Sequence, residues 1–253
     1  MYKKYFDRLL AQLALDYNCN AEDLLKDSNT IVASALNEGR RLYSTKKTFL
    51  SMVTVGRGIV ISADGCMHEF LREFAKGKPG HRLMEHKNLA VIDRELMKYG
   101  YGLTQTHHMF LPCRDVTQQA DYAVKWYYDE EIHQFYSDGR FENAICEEVL
   151  STRPDRIAVV AYDGDTIMGM AGCSEDAPHW MQIGIDVMPE YRSKGVGTYL
   201  VTLLKNRITE MGDIPFYGTG AGNLHSQNIA LNCGFKPAWV DIESKPVRGR
   251  TVL

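Results

Sequence analysis

A short run of basic residues and glycines, Arg192-Ser193-Lys194-Gly195-Val196-Gly197, is the segment of the sequence best suited to chemistry. Apolar residues recur at helical spacing from Val196 through Leu200 to Met211, so a helix is predicted to begin inside the run. Its first N–H groups lack partners within the helix, and glycine lets an anion approach them. The helix dipole and the two basic side chains add attraction for negative charge. These features predict a binding site for a pyrophosphate group.

Two common phosphate-binding motifs fit this run less well. A Walker phosphate loop requires Gly-Lys-Ser/Thr after its second glycine, which is absent here. The dinucleotide-binding fingerprint requires a third glycine where Leu200 stands. A glycine-rich turn with solvated basic side chains stays open as the alternative without a ligand.

The composition is that of a soluble globular protein with one large domain or two smaller ones. The chain has 253 residues, of which 45% are hydrophobic and 24% are charged. The net charge of −3 gives no basic surplus, so we expect neither nucleic acid nor a membrane surface as a partner. No apolar run reaches the ~18 residues of a membrane-spanning helix, and no apolar signal core forms near the N-terminus. A cytoplasmic location is therefore predicted.

The spacing of histidines and cysteines does not predict a metal site. His81 and His86 would lie on different faces of a helix, and the adjacent His107 and His108 would point to opposite sides of a strand. The cysteines include no C-x-x-C pair, so we expect buried free thiols rather than disulfides or metal ligands. They are Cys19, Cys66, Cys113, Cys146, Cys173 and Cys233.

Residues 1–113 are predicted to form a smaller mixed α/β domain, and the sequence indicates no chemistry for it. The spacing of apolar residues predicts a helix after Tyr2, and the residues that follow Asn20 predict a second capped helix. Residues 49–63 are predicted to form two strands that flank a glycine turn. Further helices are expected at about 67–76 and 83–99, and a strand at 107–111.

Residues 114–253 are predicted to form a second α/β domain, which contains the glycine run. A strand is expected at 123–128, followed by helical segments at 129–136 and 141–150. The sequence Asp163-Gly164-Asp165 between two apolar runs predicts a β-hairpin. A strand at 181–187 leads into the glycine run, and the last strands are expected at 215–218 and 236–243.

The strand end and the glycine run together resemble the signature of the GNAT superfamily of acyl-CoA-dependent N-acyltransferases. In that family a strand ending in Val is followed by a short turn, then Arg/Gln-x-x-Gly-x-Gly/Ala and a helix. The sequence Val187-Met188-Pro189-Glu190-Tyr191-Arg192-Ser193-Lys194-Gly195-Val196-Gly197 has this order and spacing. A second landmark, an Asn eleven residues before a Gly-Phe pair, corresponds to Asn223 and Gly234-Phe235. The resemblance covers about 114–253 and implies an α/β (α+β) fold with a mixed twisted sheet flanked by helices.

The resemblance also implies where acetyl-CoA, the expected cosubstrate, would bind. Family members hold it between two parallel strands that splay apart, which here would be 181–187 and 215–218. The backbone at the end of the first strand would hold the pantetheine and the acyl carbonyl, and the loop amides would hold the diphosphate. The implied cofactor-binding residues are Val187, Met188, Pro189, Arg192, Ser193, Lys194, Gly195, Val196, Gly197 and Thr198, with Asn223, Ser226 and Asn228 as lesser contacts.

The implied reaction is direct attack of a neutral amine on the thioester, accelerated mainly by positioning and by a backbone N–H near Val187. An ammonium nucleophile must first lose a proton, so a carboxylate or a water chain is required beside the acceptor. Asp186 is the first candidate for this base, although strand alternation places it opposite Val187 and leaves a structural role open. Glu175 and Asp176 are the next candidates, with solvated loop residues as the alternative.

The sequence departs from the family at the general acid. Many members place a Tyr seven residues after the landmark Asn, where it can protonate the leaving thiolate, but here that position is Ala230. Tyr191, Tyr199 and Tyr217 lie nearby in the sequence, and we expect each of them to be a packed aromatic residue. The resemblance therefore leaves the general acid unassigned.

Two functions are compatible with these features. The first is an N-acetyltransferase that transfers an acetyl group from acetyl-CoA, without a metal, to an amine of a small molecule or a peptide. In this hypothesis the N-terminal domain closes the acceptor pocket or shapes a homodimer. The second is a non-catalytic acyl-CoA-binding regulatory module, which the absence of a hydroxyl at Ala230 suggests.

Overall fold

The computed structural model describes residues 2–42, 45–117, 121–146, 148–149 and 152–247. Contacts group the described residues into two compact units. Unit 1 lies within Met1–Tyr5, Arg41–Tyr43 and Phe110–Pro237, and unit 2 lies within Phe6–Arg40, Ser44–Met109 and Ala238–Leu253. Since a compact unit is not the same as an independently folding domain, the domain boundary at residue 113 stays a prediction.

The helices follow the apolar spacing that predicts them. The α-helices are α1 (Tyr2–Tyr17), α2 (His68–Ala75), α3 (Gly80–Leu83), α4 (His86–Met97), α5 (Val196–Glu210) and α6 (Leu224–Asn232). Short 3-10 helices occur at Ala21–Leu25, Gly65–Met67, Asp129–Phe135 and Pro189–Tyr191.

The strands occur in runs between these helices, and the mixed α/β class predicted from the sequence is confirmed. The strands are β1 (Thr30–Ala33), β2 (Leu50–Thr54), β3 (Val60–Ala63), β4 (Tyr101–Leu103), β5 (His107–Pro112), β6 (Ala123–Tyr128), β7 (Asp155–Asp163), β8 (Thr166–Ala177), β9 (Trp180–Val187), β10 (Ile214–Gly220) and β11 (Phe235–Pro246).

Unit 1 is built on strands β6 to β10. Strands β6, β7, β8 and β9 pair in antiparallel order, and β10 lies parallel beside β9. The predicted hairpin joins β7 to β8, with Gly164 at a φ of +59° in the turn. Glycine adopts this left-handed conformation at little cost, which is why the Asp-Gly signal is reliable.

The sheet of unit 1 is buried on both faces. Helix α5 packs on one face through Val196, Leu200, Leu204 and Ile208, all of which are fully or almost fully buried. The 3-10 helix Asp129–Phe135 and the turn around residues 141–145 pack on the opposite face. The strands therefore carry apolar residues on both sides, as expected for a sheet between two layers.

Unit 2 contains β1 to β4 and the second part of β11. Strand β1 pairs parallel with β3, β3 pairs antiparallel with β2, and β11 pairs antiparallel with β2 and β4. Helices α2, α3 and α4 contribute Leu71, Leu83 and Ile92 to its core. The two strands predicted within residues 49–63 are confirmed as β2 and β3.

Three predicted elements differ from the structure. The helix expected after Asn20 is a five-residue 3-10 helix, and the helix expected at 83–99 is α4, which begins only at His86 and ends at Met97. The helix predicted at 141–150 is wrong for its described part, where residues 142–145 form turns. Phe141, Ala144 and Ile145 have helical spacing because all three are buried in one cluster, not because they share a helix. Residues 147 and 150 lie outside the described residues.

All six cysteines are free thiols. Cys173 and Cys233 are buried as predicted, whereas Cys66 is exposed and the others are half-buried. The expectation of burial is therefore wrong for Cys66.

Candidate functional site

The glycine run forms an exposed loop between β9 and α5. Strand β9 ends at Val187, the 3-10 helix Pro189–Tyr191 follows, and Gly195 is the residue that precedes α5. Gly195 has a φ of +84° and Ser193 a φ of +60°. A positive φ is uncommon for a residue other than glycine and often occurs at functional sites. Residues 192–195 are exposed, so a ligand has access to this turn.

The first turn of α5 presents free amide groups. The first hydrogen bond of the helix runs from the N–H of Tyr199 to the carbonyl of Gly195, at 2.9 Å. Among the residues that the structure describes, no acceptor binds the N–H of Val196 or Gly197. These donors and the dipole of the 15-residue helix give the turn a positive potential suited to a phosphate.

Gly197 lets three elements meet at this loop. A Cβ atom there would lie 3.2 Å from Cδ1 of Ile229 and 3.4 Å from Cγ2 of Val187. Because a larger residue would crowd both neighbours, glycine permits the close approach of α5, α6 and the end of β9. The free amides of α5 therefore lie beside the end of β9 and the first turns of α6.

Strands β9 and β10 stop pairing before either of them ends, and we call the gap between their unpaired ends the cleft. Their parallel pairing runs from Ile214 and Trp180 to Tyr217 and Ile183, where it ends. Beyond that point β9 continues to Val187 while paired only with β8, and β10 continues to Gly220. The loss of pairing at this end of two parallel strands agrees with the splay that the resemblance implies.

Arg192 contacts the strand end directly. Its Nε donates a hydrogen bond of 3.1 Å to the carbonyl of Val187, the backbone group implied to hold pantetheine. A ligand that uses this carbonyl as its acceptor would compete with the guanidinium. Lys194 accepts a hydrogen bond of 2.7 Å from the hydroxyl of Tyr122 at its own carbonyl, which fixes the loop to the segment before β6.

The remaining residues of the implied cofactor site have structural contacts. The N–H of Met188 donates to the carbonyl of Met168, and the Met188 side chain is buried. Pro189 is the first residue of the 3-10 helix, and the carbonyl of Thr198 accepts from the thiol of Cys233.

The first turn of α6 is capped by the residues implied as lesser contacts. The side chain of Asn223 accepts a hydrogen bond of 3.1 Å from the N–H of Ser226, and the hydroxyl of Ser226 lies 2.7 Å from the hydroxyl of Tyr217. Asn228 is exposed on the same helix. Asn223 therefore has a structural role as the N-cap of α6, and a contact with the cofactor would be in addition to that role.

Asp186, the first candidate for the base, is held by three hydrogen-bond donors. Its carboxylate accepts from the N–H of Asn143 at 2.8 Å, from the N–H of Ala144 at 2.9 Å and from the side-chain amide of Asn143 at 2.7 Å. These bonds attach the turn around residues 141–145 to β9. They favour the structural role that strand alternation leaves open, while the role as base stays a prediction.

Variants at Asp186 separate these two roles. We expect Asp186→Ala to lower the free energy of unfolding by about 2 kcal/mol, since two backbone donors and an amide lose a charged acceptor. Chemical denaturation measures this loss, and Asp165→Ala, at an exposed position in the hairpin between β7 and β8, is the control. A large loss of activity in Asp186→Asn with unchanged stability would instead favour the role as base.

Glu175 and Asp176 lie on β8 and not in a loop, because that strand extends to Ala177. Asp176 is 1% exposed, and its Oδ1 accepts hydrogen bonds from Ser174 at 2.7 Å and from Arg153 at 2.9 Å. Glu175 accepts from the N–H of His179 at 3.2 Å. The interpretation of these two residues as solvated loop residues is wrong.

The three candidate carboxylates do not converge on one point. Glu175 pairs with Met181, whereas Val187 at the other end of β9 pairs with Gly169. Val187 lies six steps along the strand from Met181, which corresponds to about 20 Å. The structure thus places Glu175 and Asp176 far from the strand end and Asp186 next to it.

The tyrosines near the loop differ in exposure. Tyr199 is 7% exposed and donates to the carbonyl of Tyr122, and Tyr217 is 2% exposed. Both are packed residues, as expected, whereas Tyr191 is half-buried and donates to Asp163. Ala230 is fully buried in the core beside α5, and its methyl group offers no hydroxyl.

Comparison of the sequence with known protein families identifies the family of this part of the chain. Residues 118–235 match the model of the acetyltransferase (GNAT) family. The chain carries a GNAT acetyltransferase domain. This acetyltransferase domain includes strands β6 to β10, helices α5 and α6, and the glycine loop between β9 and α5. The resemblance seen in the sequence is confirmed, and no curated protein sequence matches the chain.

Solved structures similar to this chain include several acetyltransferases. One described as a GNAT acetyltransferase from Novosphingobium aromaticivorans has 14% identity and a TM-score of 0.46, over 57% of this chain and 66% of that chain. A GCN5-related N-acetyltransferase-like protein from Streptococcus suis has 14% identity and a TM-score of 0.45, over 78% and 83% of the two chains. A Bacillus subtilis acetyltransferase in complex with CoA has 18% identity and a TM-score of 0.38, over 49% and 99%. In the first three matches this chain spans 57 to 66% of the other chain's length.

Metal centres and membrane spans are two further features that bear on function. No group of three or more His, Cys, Asp or Glu side chains is placed to hold a metal ion in the described residues. Within the same residues, no helix combines the length and the hydrophobicity needed to cross a membrane.

Proposed function

We propose that the acetyltransferase domain transfers an acetyl group from acetyl-CoA to an amine of a small molecule or a peptide. The observation that supports this most strongly is the pair of free amides at the start of α5, directly beside the cleft between β9 and β10. An acyl-CoA carries a diphosphate and, next to it, a long narrow pantetheine arm. The amides fit the first group and the cleft fits the second.

In this proposal the diphosphate binds the N–H groups of Val196 and Gly197 together with the side chains of Arg192 and Lys194. The pantetheine enters the cleft and takes the carbonyl of Val187 as an acceptor. Arg192 leaves that carbonyl and pairs with the diphosphate, because a phosphate is a stronger partner for a guanidinium than a neutral carbonyl. Binding of the cofactor would thus release the carbonyl of Val187 from Arg192.

Once the amine and the thioester are held in position, the reaction requires little more from the protein. A neutral amine attacks the thioester carbon, and a backbone N–H near Val187 stabilises the oxyanion that forms. Because three donors already bind Asp186, we propose that this carboxylate orients the turn at residues 143–144 and that solvent takes the proton of the amine.

Release of free thiol from acetyl-CoA in the presence of a panel of amines tests the proposal. We expect amine-dependent thiol release with at least one class of acceptor, and mass spectrometry should then find the acceptor heavier by one acetyl group. The control is a Gly195→Asp variant, which should lose both signals. Tight binding of acetyl-CoA without turnover on any amine would contradict the catalytic function.

That last outcome would favour the second candidate, a non-catalytic acyl-CoA-binding regulatory module. Its support is that Ala230 brings no hydroxyl to the cleft. A binding module should bind acetyl-CoA tightly and release no thiol with any amine, whereas the proposed enzyme should release thiol with at least one class of amine.

A further inference from the structure

A cavity of about 320 Å³ lies beside the glycine loop, at the start of β6 and the end of β7. Ala123 in β6 pairs with Tyr162 in β7, and both residues line the cavity. The hydroxyl of Tyr122 donates to the carbonyl of Lys194, so the glycine loop forms part of the same lining. Three tyrosines, two aspartates and a lysine of this lining can bind a polar ligand: Tyr122, Tyr162, Tyr191, Asp121, Asp163 and Lys194.

This cavity and the proposed cofactor cleft lie on different sides of the sheet of unit 1. The strands follow the order β6, β7, β8, β9 and β10, and the cleft begins at the edge of β9 that faces β10. Neighbouring strands are about 4.8 Å apart, which places β7 about 10 Å from β9. A ligand of the cavity is therefore additional to the acetyl acceptor, which must reach the thioester in the cleft.

The charges of the described lining favour a cation. Asp121 and Asp163 contribute two carboxylates, and Lys194 contributes one ammonium group. The hydroxyl of Tyr191 donates a hydrogen bond of 3.2 Å to Asp163, which leaves the charge of that carboxylate in place. Burial raises the pKa of Tyr191, and the bond to Asp163 and the charges of Asp163 and Glu190 raise it further. A raised phenol pKa agrees with a negative potential in the cavity.

Two of the tyrosine rings already attract ammonium groups of the chain itself. Nζ of Lys194 lies 5.1 Å from the ring centroid of Tyr191. Nζ of Lys125 lies 5.0 Å from the ring centroid of Tyr162. Both distances are within the ~6 Å at which the face of an aromatic ring attracts a cation. The rings therefore suit an organic cation, whose charge lies over the ring and whose methylene groups pack against it.

The same lining does not suit a metal ion. Hard cations take six or more oxygen ligands, and the described part of the chain contains no group of three or more His, Cys, Asp or Glu side chains placed for a metal. A primary ammonium group needs fewer partners, because it offers three N–H donors that two carboxylates and a hydroxyl can accept. The lining thus selects a primary alkylammonium ion.

We propose that the cavity binds an alkylammonium ion on the ring of Tyr191, in the place that Lys194 occupies in this structure, and that this ion and CoA strengthen each other's binding. The coupling rests on the proposed function, in which Lys194 pairs with the diphosphate of CoA. When its ammonium group moves to the diphosphate, the ring and the two carboxylates lose their cation. An external ammonium ion then binds more tightly, and by linkage it raises the affinity for CoA by the same factor.

Titration with butylammonium chloride at constant ionic strength, followed by NMR chemical shifts of the protein amides, tests the site without CoA. We expect saturable shifts at the β7–β8 hairpin and the glycine loop, and about fivefold weaker binding in Asp163→Asn. That substitution removes the charge and keeps an oxygen that accepts the hydrogen bond from Tyr191. Asp165→Asn, at an exposed position two residues away in the same hairpin, is the matched control and should bind like the wild type.

Two further measurements test the part assigned to Lys194. Lys194→Met removes the competing ammonium group, so butylammonium should bind it about threefold more tightly than the wild type in the absence of CoA. Calorimetry should give a Kd for CoA that is about threefold lower in butylammonium chloride than in sodium chloride of equal ionic strength. This difference should disappear in Asp163→Asn.

Equal affinities of wild type and Asp163→Asn for butylammonium would overturn the site. A Kd for CoA that is the same in both salts would overturn the coupling. Failure of the wild-type protein to bind CoA would contradict the proposed function itself, while the titration without CoA would still decide whether the cavity binds the ion.

Discussion

Gly195→Asp should weaken the binding of CoA by more than about a hundredfold. The new carboxylate would stand at the start of α5, where the diphosphate is proposed to bind. A negative charge about 5 Å from a doubly charged diphosphate costs about 3 kcal/mol at an effective dielectric constant of about 40. Isothermal titration calorimetry with CoA measures the change in Kd, and each factor of ten corresponds to about 1.4 kcal/mol.

Gly195→Asn is the matched control for this charge. Asp and Asn have nearly the same shape, and both tolerate the left-handed backbone that Gly195 adopts at a φ of +84°. In the described part of the chain, no atom beyond the adjacent residues lies within 4 Å of a Cβ at this position, so neither side chain meets a steric obstacle there. The difference between the two variants therefore reports the charge alone. Equal Kd values for Asp and Asn would show that no diphosphate binds at this turn.

Gly184→Ala should lower the free energy of unfolding by about 3 kcal/mol or more. A Cβ atom on Gly184 would lie 1.7 Å from the carbonyl oxygen of Asn143, which is a backbone atom and has no rotamer to change. The turn around residues 141–145 must then move away from β9. That movement also breaks the hydrogen bonds from Asn143 and Ala144 to Asp186, so two losses add.

Denaturant unfolding of Gly184→Ala and Gly139→Ala makes the comparison. Gly139 has open space where its Cβ would be and no positive φ, so its substitution should change stability by less than about 0.5 kcal/mol. A loss for Gly184→Ala as small as that of Gly139→Ala would mean that the turn does not rest on β9 in solution.

The sequence predicts the elements whose signals are local. The glycine run and the apolar stripe behind it lie within one segment, and together they predict both the start of α5 and an anion site. The hairpin at Gly164 is specified by adjacent residues in the same way. The strand order and the parallel pair β9 and β10 were implied only by the family resemblance. Strands that pair can be far apart in the sequence, so no local signal predicts their pairing.

The parts of the site that the sequence does not reveal depend on contacts between distant residues. Asp186 accepts hydrogen bonds from amides 43 and 42 residues away in the chain, and the sequence around Asn143 does not predict an acceptor for them. Buried apolar residues at helical spacing in that turn even predict the wrong element. The hydrogen bond between Tyr217 and Ser226 similarly joins a strand to a helix, and nothing in either segment pairs the two residues.

A crystal structure of the protein with acetyl-CoA tests the proposed cofactor site most directly. We expect diphosphate oxygens at hydrogen-bonding distance, about 3 Å, from the amide nitrogens of Val196 and Gly197. We also expect the pantetheine arm between β9 and β10, with Arg192 moved from the carbonyl of Val187 to a phosphate. A cofactor bound elsewhere, with the first turn of α5 empty and Arg192 still on Val187, would contradict the proposal.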